Sequence, residues 1–279
     1  MKRFGTIAIV GVGMIGGSIG LAVKKRRLAR EVIGVFRRRS SLNKAIARRA
    51  ADWGTLDVAR GVSRADLVII AADVGIIPAL AKKASVHMRR GSVLTDVGSV
   101  KAGIVAALEK TLPRGVVFVG AHPMAGSEKT GVDHADADLF EGAVSIVTRT
   151  RRTDKRALRE IVRFWRSLGA RVVVMDPNLH DKRVSMVSHL PHVAALGLCL
   201  AQDEKDLAYA AGGFKDATRI ASSDPEMWAD ILKANRAHVL VALDKLIAEL
   251  GAVRRDLSRR DFRRVLLKIE RAKAIRDGA

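Results

Sequence analysis

Cysteine is almost absent from this chain: among 279 residues only Cys199 carries a thiol. A lone thiol forms no disulfide within the chain and has no second thiolate for a zinc site, which fits a reducing compartment, so the protein is expected to be cytoplasmic. Aromatic residues are also scarce, at 4%, too few for a platform on which nucleic-acid bases would stack. Long apolar runs are missing as well. The stretch that imitates an export signal, Ile7 to Val23 behind Met1-Lys2-Arg3, carries five glycines and runs into Lys24-Lys25-Arg26-Arg27 with no small-residue cleavage site. It is not read as a leader, and no other stretch is long enough to span a bilayer. Internal repeats and low-complexity linkers are absent too.

Acidic residues are outnumbered, 29 against 50 basic ones, for a formal net charge of +21. Such a balance raises nucleic acid, anionic membranes and anionic small molecules as partners. The basic residues are scattered in short clusters such as Arg37-Arg38-Arg39 and Arg259-Arg260, which read as solvated surface, so nucleic acid and membrane are set aside. A diffuse positive field that draws in a dianionic substrate and a phosphorylated cofactor remains. What is plentiful is apolar: 48% of the residues, enough to bury sizeable cores in one or two domains.

The order of patterns predicts an α/β fold, a doubly wound parallel sheet followed by an all-α domain. Strands are expected at Thr6 to Val10, Val32 to Phe36, Leu67 to Ala71, Ser92 to Thr95, Val116 to Val119, Ala143 to Thr148 and Arg171 to Met175. Helical patterns such as Leu42 to Ala51 and Ala102 to Thr111 fall between them. Strand signals stop near Asp176-Pro177, which divides the chain into residues 1–176 and 177–279. Beyond it, one long helix is expected over Met227 to Leu250, capped by Asp224 with Pro225 at its first position. Its apolar residues cover more than a narrow stripe, as in a helix buried on several sides, either within one chain or against a second subunit.

Gly11-Val12-Gly13-Met14-Ile15-Gly16 follows the first strand and opens a helix. The first glycine permits the tight turn, the second lets backbone approach a pyrophosphate, and the third allows helix and strand to pack closely. In that context the segment predicts dinucleotide binding, with Gly11, Gly13, Met14, Ile15 and Gly16 as contacts and Ala72, after the fourth strand, on the same path. The second strand ends on Phe36 and runs into Arg37, Arg38, Arg39 and Ser40, with no carboxylate to bind the ribose hydroxyls. Guanidinium and hydroxyl groups suit a 2′-phosphate, so Arg37, Arg38 and Ser40 favour NADP over NAD.

Three segments carry chemistry: Thr95-Asp96-Val97-Gly98-Ser99-Val100-Lys101, Gly120-Ala121-His122-Pro123-Met124-Ala125-Gly126-Ser127-Glu128, and Gly212 to Ala221 running on to Trp228. The first two follow predicted parallel strands, at the carboxyl edge where open α/β sheets bind ligands. A neutral His122 can accept a hydroxyl proton as hydride leaves the same carbon; its blander reading is a loop hydrogen bond. Ser99 reads as substrate contact or helix cap, and Lys101 as substrate contact. Arg219, between a double-glycine turn and a helix start, suits a carboxylate, or else pairs with Asp216. Trp228 is core or pocket wall. His189 and His192, three apart, can share a helical face; no neighbouring carboxylate has metal-site spacing, and no metal is expected.

Taken in order, Asp-Val-Gly-Ser-Val-Lys at 96–101, His-Pro-Met-Ala-Gly-Ser-Glu at 122–128, Ser-His-Leu-Pro-His at 188–192 and Gly-Phe-Lys-Asp-Ala-Thr-Arg-Ile-Ala-Ser-Ser-Asp-Pro-Glu-Met-Trp at 213–228 resemble the prephenate and arogenate dehydrogenases of tyrosine biosynthesis. The resemblance spans Gly11 to about Leu250. It implies a Rossmann domain followed by a helical dimerisation domain, hence a homodimer. It implies oxidative decarboxylation of prephenate, or of its amino analogue arogenate, with hydride passing to NAD(P). His122 takes the role of base at the ring hydroxyl with Ser99 beside it, Arg219 anchors a carboxylate, and His192 lines the side-chain end of the pocket. Phe36 stands where NAD-using members commonly have an acidic residue. Ala71-Ala72-Asp73-Val74 stands where a threonine-proline pair is common, which sets Asp73 near the cofactor path. Other Rossmann-plus-helical oxidoreductases, such as 3-hydroxyacid dehydrogenases or pyrroline-carboxylate reductases, fit the His-Pro and Gly-Phe-Lys-Asp segments poorly. From another class, the alternative is a silent NAD(P)-binding sensor or scaffold.

Overall fold

A computed structural model describes residues 4–127 and 129–278. Strands β1 (Phe4–Val10), β2 (Ala29–Val35), β3 (Trp53–Thr55), β4 (Leu67–Ile70), β5 (Val93–Asp96) and β6 (Val117–Val119) form one sheet in the order β3-β2-β1-β4-β5-β6. Every pairing in it is parallel, Ile9 standing opposite both Gly34 and Ile69. The order reverses between β1 and β4, and such a switch point opens a crevice at the carboxyl ends of the strands. Both faces are covered, which is why the strands read as continuous apolar runs. Ile7 and Ile9 face one core with Ile19, Phe164 and Trp165, whereas Ala8 and Val10 face a second with Ile77, Ile104 and Leu108.

The crossovers are α1 (Met14–Lys25), α2 (Arg39–Ala47), α3 (Val58–Val62), α4 (Ile77–Ser85) and α5 (Ala102–Thr111). The last two expected strands are formed but belong to a separate sheet. β7 (Ala121–Pro123) runs antiparallel to β8 (Val144–Thr148), which is parallel to β9 (Arg171–Met175) across α6 (Lys155–Ser167). β7 starts one residue after β6, turning at Gly120, where a Cβ would meet Thr148 Oγ1 at 2.6 Å. β3 and β7 are three residues each, too short to show an alternating pattern, and neither was expected.

From Pro177 onward every described element is helical: α7 (Pro177–Val184), α8 (Leu190–Leu200), α9 (Gly212–Thr218), α10 (Pro225–Ala234), α11 (Arg236–Ser258) and α12 (Phe262–Asp277). Between α7 and α8 lies a π-helical turn, Ser185–His189. Pro191, at the start of α8, lacks the amide that would continue the α-helical ladder, and one widened turn absorbs the mismatch. The single helix expected over Met227 to Leu250 is two. Asp224 does cap the first, accepting from Met227 N at 2.8 Å, but Asn235 leaves helical geometry (φ −110°, ψ 22°) and separates α10 from α11. Its backbone amide still donates to the Ile231 carbonyl at 3.0 Å, while its side-chain amide donates to the Asp181 carbonyl at 2.9 Å, a tertiary bond that helix periodicity cannot show. No helix among the described residues is long and apolar enough to cross a membrane.

Candidate active site

The crevice at the switch point begins with the glycines of the β1–α1 turn. A Cβ on Gly11 would collide with the Ala71 carbonyl, and one on Gly16 with the carbonyl of Gly11, so both are required by close backbone approach. Gly13 differs: a Cβ there would meet nothing within 4 Å, and so would point into open space. No side chain caps the amides that open α1. An open cradle beside uncapped helix amides fits a dinucleotide pyrophosphate. Met14 and Ile15 are half-buried at the mouth, and the loop after β7 lies against them: a Cβ on Gly126 would meet Met14 Cε at 3.4 Å and Ile15 Cδ1 at 3.6 Å, and Ser127 Oγ lies 3.5 Å from Met14 Sδ. Glu128, the last residue of that motif, lies outside the described residues. At the end of β2, Arg37, Arg38 and Ser40 are exposed around an equally uncapped start of α2, and Ala72 is half-buried after β4. Asp73 is exposed in the following turn.

β7 carries His122 to the carboxyl side of the parallel sheet, where it meets the helical half. His122 Nδ1 lies 2.9 Å from His180 Nε2, and His180 Nδ1 lies 2.7 Å from Asp181 Oδ1, both histidines coming within 8% of full burial. The Asp181 carboxylate also accepts from the amides of Lys101 (2.7 Å) and Ala102 (2.9 Å), so it caps α5 from 80 residues away. Beneath them Lys101 Nζ pairs with Asp96, whose other oxygen accepts from Ala121 N at 3.2 Å. Asn235 Nδ2 reaches His189 Nδ1 at 3.1 Å, leaving His189 Nε2 buried and unpartnered, as is His192 Nδ1. Trp228 joins the two: His192 stacks on it at 3.4 Å between ring centroids, and His189 meets it edge-on at 5.9 Å. Trp228 in turn packs, with Met227 and Ile231, against the core beneath α4 and α5.

Burial keeps these imidazoles neutral. Desolvation, reinforced by the neighbouring His180 and by the charge on Lys101, holds His122 well below the ordinary histidine range, and desolvation also lowers His180 and His192. His189 is pushed down to about 4, again chiefly by burial. A group depressed in the folded state binds its proton first in the unfolded chain, so its stabilisation is complete above the unfolded value and fades as pH falls. The melting temperature is therefore expected to hold steady above pH ~6.5 and to drop between there and pH ~4, as scanning calorimetry across that range would show. A flat profile would mean the cluster is solvated.

The structure thus gathers His122, His189, His192 and Trp228. It does not place every expected residue with them. Lys101, expected to touch substrate, has no exposed surface and spends its ammonium on Asp96, so it anchors the floor of the site instead. Ser99 is half-buried in the loop after β5, with no hydrogen bond to His122 among the described residues, and it does not cap α5. Arg219 is exposed on a short turn, Arg219–Ser222, that packs on α8, the helix carrying His192. Asp96, His180, Asp181 and Asn235 were not singled out as site residues. A His-Asp pair one turn into a helix has no spacing signal, and only its contacts with β7 and α5 mark it.

Two family sequence patterns match this chain: "Prephenate dehydrogenase, nucleotide-binding domain" over residues 19–174 and "Prephenate dehydrogenase, dimerization domain" over residues 176–269. It is 38% identical to a prephenate dehydrogenase of Bacillus subtilis, across 98% of this chain and 76% of that protein. It is 32% identical to a cyclohexadienyl dehydrogenase of Zymomonas mobilis, across 94% of this chain and 91% of that one. Among solved structures, the prephenate dehydrogenase from A. aeolicus in complex with hydroxyphenyl propionate and NAD+ superposes with a TM-score of 0.90 at 34% identity, covering 98% of this chain and 97% of that one.

Proposed function

The chain belongs to the prephenate dehydrogenase family, and from that premise we propose that it oxidises and decarboxylates prephenate to 4-hydroxyphenylpyruvate with NADP, His122 acting as the base. The observation that carries the assignment of the base is the neutral, buried His122 hydrogen-bonded through His180 to Asp181 beside the glycine crevice. A bound nicotinamide supplies the hydride acceptor. Gly11, Gly13, Met14, Ile15, Gly16 and Ala72 would hold the dinucleotide, and Arg37, Arg38 and Ser40 support a 2′-phosphate at the end of β2. His122 accepts the ring hydroxyl proton as the carbon beneath it is oxidised. The C–C bond to the ring carboxylate then breaks and carbon dioxide leaves, its electron pair completing the aromatic ring and passing the carbonyl pair back to the ring oxygen, which regains the proton from His122 as the phenol forms, so the step is effectively irreversible. Ser99 is assigned to the same ring end.

Arg219 would orient the ring by pairing with a carboxylate, a matter of alignment more than of proton transfer. His189 Nε2, His192 Nδ1 and the Trp228 face would meet the side chain of the substrate; two buried ring nitrogens lacking partners support a polar group there. For Arg219→Ala, KM for prephenate is expected to rise so that kcat/KM falls by roughly 10- to 100-fold, the worth of hydrogen bonds to a charged group. Steady-state kinetics check this, and an unchanged KM returns Arg219 to the surface.

We further propose a homodimer joined through the helices of residues 177–279, in a cytoplasmic setting. Leu250, Leu257, Phe262, Leu266, Ile269 and Ile275 on α11 and α12 are each half exposed or more, an apolar display that a second copy would cover. Light scattering behind size-exclusion chromatography is expected to give twice the mass of one chain, and Leu266→Asp with Ile269→Asp to shift it toward one.

A further inference from the structure

We propose that His180 and Asp181 are positioning residues that lock His122 in the tautomer carrying its proton on Nδ1, which makes Nε2 the atom that takes the substrate's hydroxyl proton. The inference rests on the reading of His122 as the base.

Polarity propagates through the chain of contacts from Asp181. Its oxygens already accept from the amides of Lys101 and Ala102, and a carboxylate has only acceptors to offer, so the 2.7 Å contact requires His180 Nδ1 to donate. Burial keeps His180 neutral, which leaves Nε2 of that ring a lone pair. At 2.9 Å from it, His122 Nδ1 must be the donor. His122, neutral as well, then carries its lone pair on Nε2, for which no hydrogen-bond partner exists among the described residues. The ring planes cross at 66°, a geometry that also fixes the imidazole's orientation.

Charge follows the same route. When Nε2 takes a proton, the new positive charge sits one neutral imidazole away from the Asp181 carboxylate. Every other charged or titratable group facing the pair is accounted for: Lys101 is tied to Asp96 on the β5 and α5 side, and His189 faces it from the π-helical turn. Wrong-tautomer populations are costly where a histidine must accept a proton, and a carboxylate behind the ring is the usual means of excluding them.

Nitrogen-15 NMR of the histidine rings reads the tautomer directly in the full-length protein. His122 and His180 should both carry their proton on Nδ1 in the natural sequence. In His180→Phe, which keeps a ring but offers no acceptor, His122 should redistribute toward Nε2–H. Turnover of prephenate should then fall on the order of 10²-fold in kcat, with KM and cofactor affinity held within about threefold. His180→Gln restores the relay, because its amide can donate to Asp181 and accept from His122, and should recover most of kcat. Finding Nε2–H on His122 in the natural sequence overturns the proposal, as does His180→Phe with full kcat, or with lost kcat and an unchanged His122 tautomer. Should His180→Phe not fold, the natural spectrum and His180→Gln decide. A protein that turns over no prephenate would sink the functional reading, and the tautomer would still be measured independently of it.

Discussion

His122→Asn is expected to lower kcat for prephenate on the order of 10²- to 10⁴-fold, the contribution of a positioned general base. Asparagine has nearly the reach of the Nδ1 side of the ring, so its amide can still donate to His180 and spare the hydrogen-bond network behind it. It has no basic atom where Nε2 stands. The ring hydroxyl proton then leaves to water in a site whose histidines are buried, and the positive charge that Asp181 stabilises through His180 never forms. Cofactor affinity is expected to stay unchanged, because the glycine crevice is built from β1, α1 and the turn after β4. Single-turnover kinetics separate the two effects. Unchanged turnover removes His122 from the mechanism.

Gly13→Val is expected to act in the opposite way, on the cofactor alone. Gly13 has ordinary extended geometry (φ −84°, ψ −150°), and its missing Cβ faces open space, so valine fits the protein without strain. The branched side chain then occupies the cradle beside the α1 amides. Losing two hydrogen bonds to a charged pyrophosphate, each worth about 1.5 to 3 kcal/mol, weakens binding by roughly 10²- to 10⁴-fold. Calorimetric titration with NADP measures the loss, and the melting temperature should not move. Gly16→Val supplies the contrast, since its Cβ would overlap the Gly11 carbonyl. That variant should lose stability together with binding, by the roughly 1 to 3 kcal/mol of an overpacked site. If Gly13→Val binds NADP normally, the crevice is not the dinucleotide site.

What the sequence revealed and what it hid divide along physical lines. Local signals survive: the glycine turn, the parallel-sheet strands and the Asp224-Pro225 helix start all follow from residues near one another in the chain. The break at Asn235 was hidden because the partner its side chain meets there, the carbonyl of residue 181, lies 54 residues away. Lys101 looked like a cation aimed at substrate, since only the fold shows Asp96 beneath it. His180 and Asp181 were invisible for the same reason. Their partners, His122 and the first amides of α5, lie 58 and about 80 residues away. The candidate base was legible, whereas the apparatus holding it was not.

The measurement that tests the central claim most directly is formation of reduced cofactor by the purified protein, with prephenate and arogenate each offered NAD and NADP. The account predicts turnover of prephenate, faster with NADP than with NAD. Binding of cofactor with no turnover of either substrate in any of the mixtures would contradict it.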